Sequence, residues 1–268
     1  FRRSVVQFRT HPLRTALALL GMVLGVGSVV GMVSIGEGAQ REIIASIEAL
    51  GGNVCLETRC WYYDQSATWR ASRSSCLKTG GTQCHVNQKE NRCVALFSAD
   101  TPAVLLAAGA RATLIGPDAE RTIPVEALYT GDGLTPLAKD AAEILTALTV
   151  PRLPPRSGTA YLKESVRESI DFPLLGVAAV VALEPGGMIA EARIAITGAR
   201  SAPCRLPEVE AAVRERPVPG PGDRHLARLA GRALGPFFLS ESVPYKRTLA
   251  GLMTVEALAA AGAEARGR

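Results

Sequence analysis

The sequence is poor in the side chains that most enzymes use for acid–base chemistry. It has three histidines in 268 residues, and aromatic residues make up only 5%. It lacks a Walker phosphate loop, a His-Glu-x-x-His motif and a Gly-x-Ser-x-Gly nucleophile elbow, and Gly25, Gly27 and Gly31 miss the dinucleotide fingerprint by one position. The formal net charge of +5 is weighted towards arginines before residue 15, so we expect no nucleic-acid partner.

One long uncharged run stands near the start of the chain. Residues 15–36, TALALLGMVLGVGSVVGMVSIG, would span roughly 33 Å as a helix. Basic residues precede the run and Glu37 follows it, which predicts a membrane-spanning helix with a cytoplasmic N-terminus. Its glycines repeat the small-xxx-small spacing of packed membrane helices. The alternative is a buried helix of a soluble protein, although five glycines would weaken such a helix.

Five of the six cysteines lie between Cys55 and Cys93. Their spacing lacks the short Cys-x-x-Cys knuckles of zinc sites and suits a loop around a bulkier group. The segment is rich in Arg and Lys, which favour thiolates and an anionic cluster. From the residues alone, three alternatives stay open: an iron–sulfur cluster, disulfides or free thiols, and a zinc ion. Cys204 stands alone, and His85 is interpreted as structural.

The beginning of the chain resembles a known membrane-protein family. THPLRTALALLGMVLGVGSVVGMVSIGEGAQREIIASIEALGGN is similar to the opening of macrolide-exporter-type ABC transporter permeases. The resemblance implies a membrane helix followed by an amphipathic helix over residues 1–50.

The rest of the chain resembles a second family. GGNVCLETRCWYYDQS, then WR, CLK, CHV, and RC with ALFSADTPAVLLAAGA, is similar to the flavin-binding subunit of molybdenum hydroxylases, the xanthine dehydrogenase family. It looks nearest to the beta subunit of 4-hydroxybenzoyl-CoA reductase, in which an inserted loop holds an extra four-iron four-sulfur (4Fe-4S) cluster. That resemblance implies four cluster ligands: Cys60, Cys76, Cys84 and Cys93. Cys55 is interpreted as a small buried hydrophobe.

The same resemblance implies a site for FAD. It places a glycine loop against the pyrophosphate and further residues near the flavin ring, with Asp171 close by. The implied residues are Gly51, Gly52, Asn53, Asp100, Leu145 and Lys163. From the residues alone, Asp100 is equally a helix cap, Leu145 a core leucine and Lys163 an edge-strand charge.

The expected fold class is α+β with three parts. Residues 51–150 would form a PCMH-type FAD-binding domain lacking its N-terminal half, with the cysteine insert at 60–93. Residues 151–268 would form an α+β domain of the CO dehydrogenase flavoprotein type, after the proline-rich stretch PRLPPRSG. Pro102 and Gly109 bracket a predicted helix, EPGG turns predicted strands, and the arginines of the final helices are predicted to form a solvated face.

The resemblance implies an electron-transfer FAD and iron–sulfur subunit of an oxidoreductase that acts on an aromatic acyl-CoA. Its implied partners are a molybdopterin-binding large subunit, a 2Fe-2S small subunit and an external electron donor or acceptor. The location would be cytoplasmic, or the inner membrane if residues 15–36 insert. The alternatives are a membrane protein derived from an ABC permease and a nonfunctional chimera.

Overall fold

The computed structural model describes residues 50–88, 91–167, 171–234 and 243–268. The predicted membrane span at 15–36 lies outside these residues. Within the described ranges, no helix combines the length and the apolar character needed to cross a bilayer. The spanning helix therefore stays a prediction, as do the domain boundaries at residues 50 and 150.

The described chain alternates short helices with two groups of strands. The helices are α1 (Ala67–Ala71), α2 (Asp100–Ala108), α3 (Pro207–Val213), α4 (Arg224–Ala233) and α5 (Val243–Gly267). The strands are β1 (Arg111–Ile115), β2 (Glu120–Pro124), β3 (Ile144–Thr149), β4 (Ser157–Glu164), β5 (Leu175–Leu183), β6 (Ile189–Thr197) and β7 (Cys204–Arg205). Two 3₁₀ turns, Leu77–Thr79 and Val125–Leu128, complete the regular structure.

Two antiparallel sheets form the scaffold. The first has the strand order β2-β1-β3, and the second has the order β4-β5-β6-β7. Every residue of β5 is buried, because its alternating side chains enter two different cores. Val177 and Val181 pack towards α3, α4 and α5, whereas Ala178 and Val180 join the core that contains α2 and β1. Strand β5 therefore contributes side chains both to the core around α2 and β1 and to the core around α3, α4 and α5.

The helix end predicted at Gly109 and the turn predicted at EPGG are confirmed. Helix α2 ends at Gly109, whose φ of +70° is the left-handed conformation that a glycine cap supplies. Asp223 caps α4 by accepting hydrogen bonds from the backbone N–H groups of His225 and Leu226. Strand β2 ends at Pro124, where the chain turns into a 3₁₀ helix. Strands β5 and β6 meet at the EPGG turn, as predicted.

Helices α4 and α5 cross at a glycine. A Cβ atom added to Gly251 would lie 2.1 Å from the carbonyl oxygen of Ala227, so the two backbones touch where α5 has no side chain. We expect Gly251→Ala to lower the free energy of unfolding by about 1–3 kcal/mol, because overpacking outweighs the roughly 1 kcal/mol that alanine gains in a helix.

Gly267 supplies the matched control within the same helix. Nothing lies within 4 Å of its added Cβ, so Gly267→Ala should leave stability unchanged or slightly raised. The measurement is the urea midpoint of the full chain. Equal midpoints for the two variants would contradict the close crossing.

Candidate redox site

A pair of backbone hydrogen bonds closes the base of the cysteine loop. The N–H of Arg59 donates to the carbonyl of Leu96 at 2.7 Å, and the N–H of Leu96 donates to the carbonyl of Arg59 at 2.8 Å. The guanidinium of Arg59 also lies 3.6 Å from the centre of the Phe172 ring, a cation–π contact. The loop is thus pinned at both ends, immediately beside Cys60 and within a few residues of Cys93.

A tight turn presents the second cysteine. The backbone N–H of Cys76 donates to the hydroxyl of Thr79 at 2.8 Å, and the Gly81 N–H donates to the carbonyl of Cys76 at 2.8 Å. A Cβ on Gly81 would lie 1.8 Å from the carbonyl oxygen of Ser75, so this turn accepts only glycine there. Cys76 also forms a bridge with Gln83, which brings it alongside Cys84.

The four predicted ligands meet at one small cavity. Its lining includes Cys60, Cys76, Cys84 and Cys93, with Lys78 and apolar or aromatic side chains between them. Cys84 and Cys93 are buried, and all six cysteines are free thiols. The loop therefore gathers four sulfur atoms although most of it has no regular secondary structure.

Burial governs the protonation of these thiols. It raises the pKa of Cys60, and the neighbouring thiols of Cys84 and Cys76 raise it further. Burial also raises the pKa of Cys93, while the charge of Lys78 lowers it. Since the folded pKa values are raised, their contribution to stability is complete below the ordinary thiol pKa and is lost as the pH increases through the folded values.

The described cysteines form no disulfide. Among the described His, Cys, Asp and Glu side chains, no group of three is placed to hold a single metal ion. The four thiols nevertheless share one cavity.

Three other predicted roles can be compared with the structure. The Nε2 atom of His85 lies 2.8 Å from the carbonyl oxygen of Ser74, and its ring packs against Tyr62. Cys55 packs partly buried against the α2 core, and burial raises its pKa. Burial likewise raises the pKa of Cys204 on β7. These positions fit structural roles.

A second polar group lies at the start of α2. The carboxylate of Asp100 accepts a hydrogen bond from the Tyr161 hydroxyl at 2.6 Å and from Lys163 Nζ at 3.0 Å. Lys163 Nζ also donates to the Asp171 carbonyl at 2.6 Å. The structure thus joins three residues that the sequence placed near a flavin ring.

Tyr161 is the member of this group that sequence reasoning missed. Burial raises its pKa, and its hydrogen bond to Asp100 raises it further, so the hydroxyl stays a donor. Its signal was present: Tyr161 and Lys163 are two residues apart on β4, which places both on one face of the strand.

Asn53, and not Asp100, caps α2. Its Oδ1 atom accepts a hydrogen bond from the Thr101 N–H at 3.1 Å, which leaves the Asp100 carboxylate for Tyr161 and Lys163. Gly51 and Gly52 precede it in a helical turn, and no atom lies within 4 Å of a Cβ added to either. The predicted contact of these glycines with a pyrophosphate stays a prediction.

Leu145 lies on β3 opposite Leu114 and packs partly buried against the α2 core. Tyr161 borders the same core, so Leu145 belongs to the structural neighbourhood of the Asp100 group. The packing of Leu145 agrees with a core role. Its predicted contact with a flavin ring stays a prediction.

Two family models match different parts of this chain. Residues 160–261 match the CO dehydrogenase flavoprotein C-terminal domain, and residues 15–135 match the MacB-like periplasmic core domain. The second match continues past residue 50 and through the four cysteines, beyond the expected end of the permease-like part. The two resemblances noted in the sequence are thereby confirmed.

Curated relatives match only a short stretch of the chain. The macrolide export ATP-binding/permease protein MacB of Shewanella sp. (strain W3-18-1) is 47% identical over 53 residues, which are 20% of this chain and 8% of that protein. The corresponding protein of Psychrobacter cryohalolentis is 38% identical over 63 residues, 24% of this chain and 10% of its own length. The chain therefore spans about a tenth or less of these relatives.

Solved structures match more of the chain. Carbon monoxide dehydrogenase from Hydrogenophaga pseudoflava is 26% identical with a TM-score of 0.53, and reconstituted CO dehydrogenase from Oligotropha carboxidovorans is 25% identical with a TM-score of 0.55. Quinoline 2-oxidoreductase from Pseudomonas putida 86, at 18% identity and a TM-score of 0.51, shares the fold. Each match covers 62% of this chain and 57% of the other. The mixed α/β fold is that of the CO dehydrogenase flavoprotein subunit.

The charge of Lys78 gives a test of the cysteine cavity. Its side chain is 6% exposed, and its Nζ atom donates to the Thr58 carbonyl at 3.1 Å. Lys78→Met should raise the pKa of Cys93 further, so alkylation of this thiol by iodoacetamide should become slower near neutral pH. Peptide mass spectrometry of the reduced full chain, across a pH series, measures the rate.

Lys139→Met is the control, because Lys139 lowers the pKa of Cys55 instead. It should leave the Cys93 rate unchanged. A Cys93 thiol that reacts equally fast with and without Lys78 would contradict the assigned electrostatic contact.

Proposed function

We propose that this chain is the flavin- and iron–sulfur-binding electron-transfer component of a molybdenum-hydroxylase-type oxidoreductase. The observation that carries the proposal is the convergence of Cys60, Cys76, Cys84 and Cys93 on one cavity, in the unit that also contains the flavoprotein-like domain. An iron–sulfur cluster would give four thiols at one cavity a shared function.

The donor set fits a 4Fe-4S cluster chemically. Four thiolates would complete the coordination of four irons, and Lys78, at the same cavity, would offset part of the negative charge. A bound cluster would supply one-electron transfer. Because the pKa values of Cys60 and Cys93 are raised, loading the site requires proton release and should become easier as the pH rises.

The residues around Asp100 fit one side of a flavin site. The glycine turn at 51–52 would leave room for a pyrophosphate beside the N-terminus of α2, and Lys163 offers a cation that two oxygen atoms already orient. Bound FAD would bridge one- and two-electron chemistry. Asp100 and Tyr161 would hold the ammonium of Lys163 in place, and Asn53 would keep the N-terminus of α2 beside the glycine turn.

The proposed partners follow from the resemblance to a subunit of the molybdenum hydroxylases. We propose a molybdopterin-binding large subunit and a 2Fe-2S small subunit as the site of substrate chemistry, in the cytoplasm, with an aromatic acyl-CoA as substrate. An external donor or acceptor would exchange electrons with the cluster. No residue of this chain is assigned a bond-making step on that substrate.

A membrane protein derived from an ABC permease is the second candidate, because a periplasmic core model matches residues 15–135. A nonfunctional chimera of the two families is the third. Neither the permease-derived protein nor the chimera gives the four-thiol cavity a function. The iron content of the purified chain therefore distinguishes these two candidates from the redox proposal.

Substitution of one ligand tests the cluster. In the anaerobically reconstituted full chain we expect about four irons and four sulfides per chain, and Cys76→Ser should lower the iron content and weaken the visible absorption. Cys76 suits the test because it lies in a half-exposed turn rather than in a core.

Cys204→Ser is the control and should retain the full iron content, since its thiol lies on β7 away from the cavity lining. Iron content that stays the same in both variants would overturn the ligand assignment. The measurement is iron and sulfide analysis together with the visible spectrum.

Removal of the Lys163 charge tests the flavin site. Lys163→Met should weaken FAD binding about tenfold, as expected for the loss of one charge-assisted hydrogen bond. The affinity is measured by quenching of FAD fluorescence during titration with the full chain. Arg214→Met, at an exposed position after α3, should bind FAD like the original chain, and equal weakening in both variants would contradict the site.

A further inference from the structure

A cleft between α4 and α5 is lined by four arginines and has a volume of about 410 Å³. Arg224, Arg228 and Arg232 come from successive turns of α4, and Arg247 comes from α5. The sequence predicted a solvated face for these residues, and all four are exposed, as predicted. The close crossing of the two helices also places them around one concave surface.

The arginines that α4 contributes to this cleft have no acidic partner among the described residues. Arg224, Arg228 and Arg232 form no ion pair with any described carboxylate, and no described carboxylate lines the cleft. Arg205, by contrast, pairs with Glu210. Like charges at four-residue spacing destabilise a helix, and an anion bound among them would relieve that repulsion.

The floor of the cleft is apolar. Ala227, Gly231 and Leu252 lie among the arginines, and Leu252 is 52% exposed although it is a large hydrophobic residue. The volume falls in the range of small-molecule sites, about 300–1,000 Å³. An apolar surface edged by guanidinium groups suits a ligand with a planar or apolar part and an anionic part.

The three arginines of α4 cover roughly 12 Å along the helix, from a rise of about 1.5 Å per residue. Guanidinium groups bind phosphate through paired hydrogen bonds and also stack on flat rings. A chain of phosphates along α4 would therefore contact several arginines at once, while an attached ring system would cover Leu252.

We propose that this cleft binds a phosphorylated organic anion of nucleotide size, with its phosphates against the α4 arginines and its apolar part over Leu252. The site is separate from the cysteine cavity and from the Asp100 group, since none of their residues lines it. The proposal therefore does not depend on the redox function.

Calorimetric titration of the full chain tests this site with ATP, inorganic tripolyphosphate and adenosine as probes. ATP should bind with one site per chain and more weakly as the salt concentration rises. Tripolyphosphate should bind more weakly than ATP, and adenosine should give no saturable binding. Absence of saturable ATP binding, or tripolyphosphate binding as tight as that of ATP, would overturn the proposal.

Paired variants locate the binding. Arg228→Gln/Arg232→Gln should weaken ATP binding about 100-fold, about tenfold for each lost guanidinium contact. Arg214→Gln/Arg216→Gln removes the same charge from exposed positions outside the cleft and should leave the affinity within about twofold. Equal losses in the two variants would mean that net charge alone attracts ATP, which contradicts a built site.

Two further measurements keep the outcome decisive. Circular dichroism of each variant must match that of the original chain. If a variant does not fold, the salt dependence of ATP binding by the original chain still tests the proposal. The original chain could instead bind anionic phospholipid vesicles but not ATP, and Arg228→Gln/Arg232→Gln could lose the vesicle binding. That result would assign the arginines to a membrane surface and overturn the nucleotide-sized site.

Discussion

The reciprocal backbone pairing of Arg59 with Leu96 is the constraint on which the cysteine cavity depends. It fixes both ends of an irregular loop that contains all four cavity thiols, and the contact of Arg59 with Phe172 anchors that base to the segment between β4 and β5. Most of the loop has no strand or helix to order it. Its shape therefore depends on this closure and on whatever binds the four sulfur atoms.

Ionising the thiols of the cavity is costly. Burial raises the pKa values of Cys60 and Cys93, and nearby thiols would repel one another if ionised. The single buried ammonium of Lys78 offsets only part of this cost. A metal cluster would supply positive charge to four thiolates at once, so loading should stabilise the loop and couple its order to cofactor content.

Much of the fold could be predicted from local signals. Pro102 and Gly109 marked the ends of α2, and the EPGG turn marked the hairpin of β5 and β6, because these residues act on their own backbone. The four cavity cysteines followed from a family resemblance. Asn53 as the cap of α2, Tyr161 on Asp100 and the arginine cleft depend on contacts between distant segments, which local patterns do not specify.

X-ray absorption at the iron edge of the anaerobically loaded full chain tests the central claim most directly. The account predicts iron surrounded by sulfur together with an iron–iron scattering shell, as four thiolates on a multi-iron cluster require. A spectrum with iron bound to oxygen and nitrogen, or without iron–iron scattering, would contradict it, because the four cysteines would then hold no cluster.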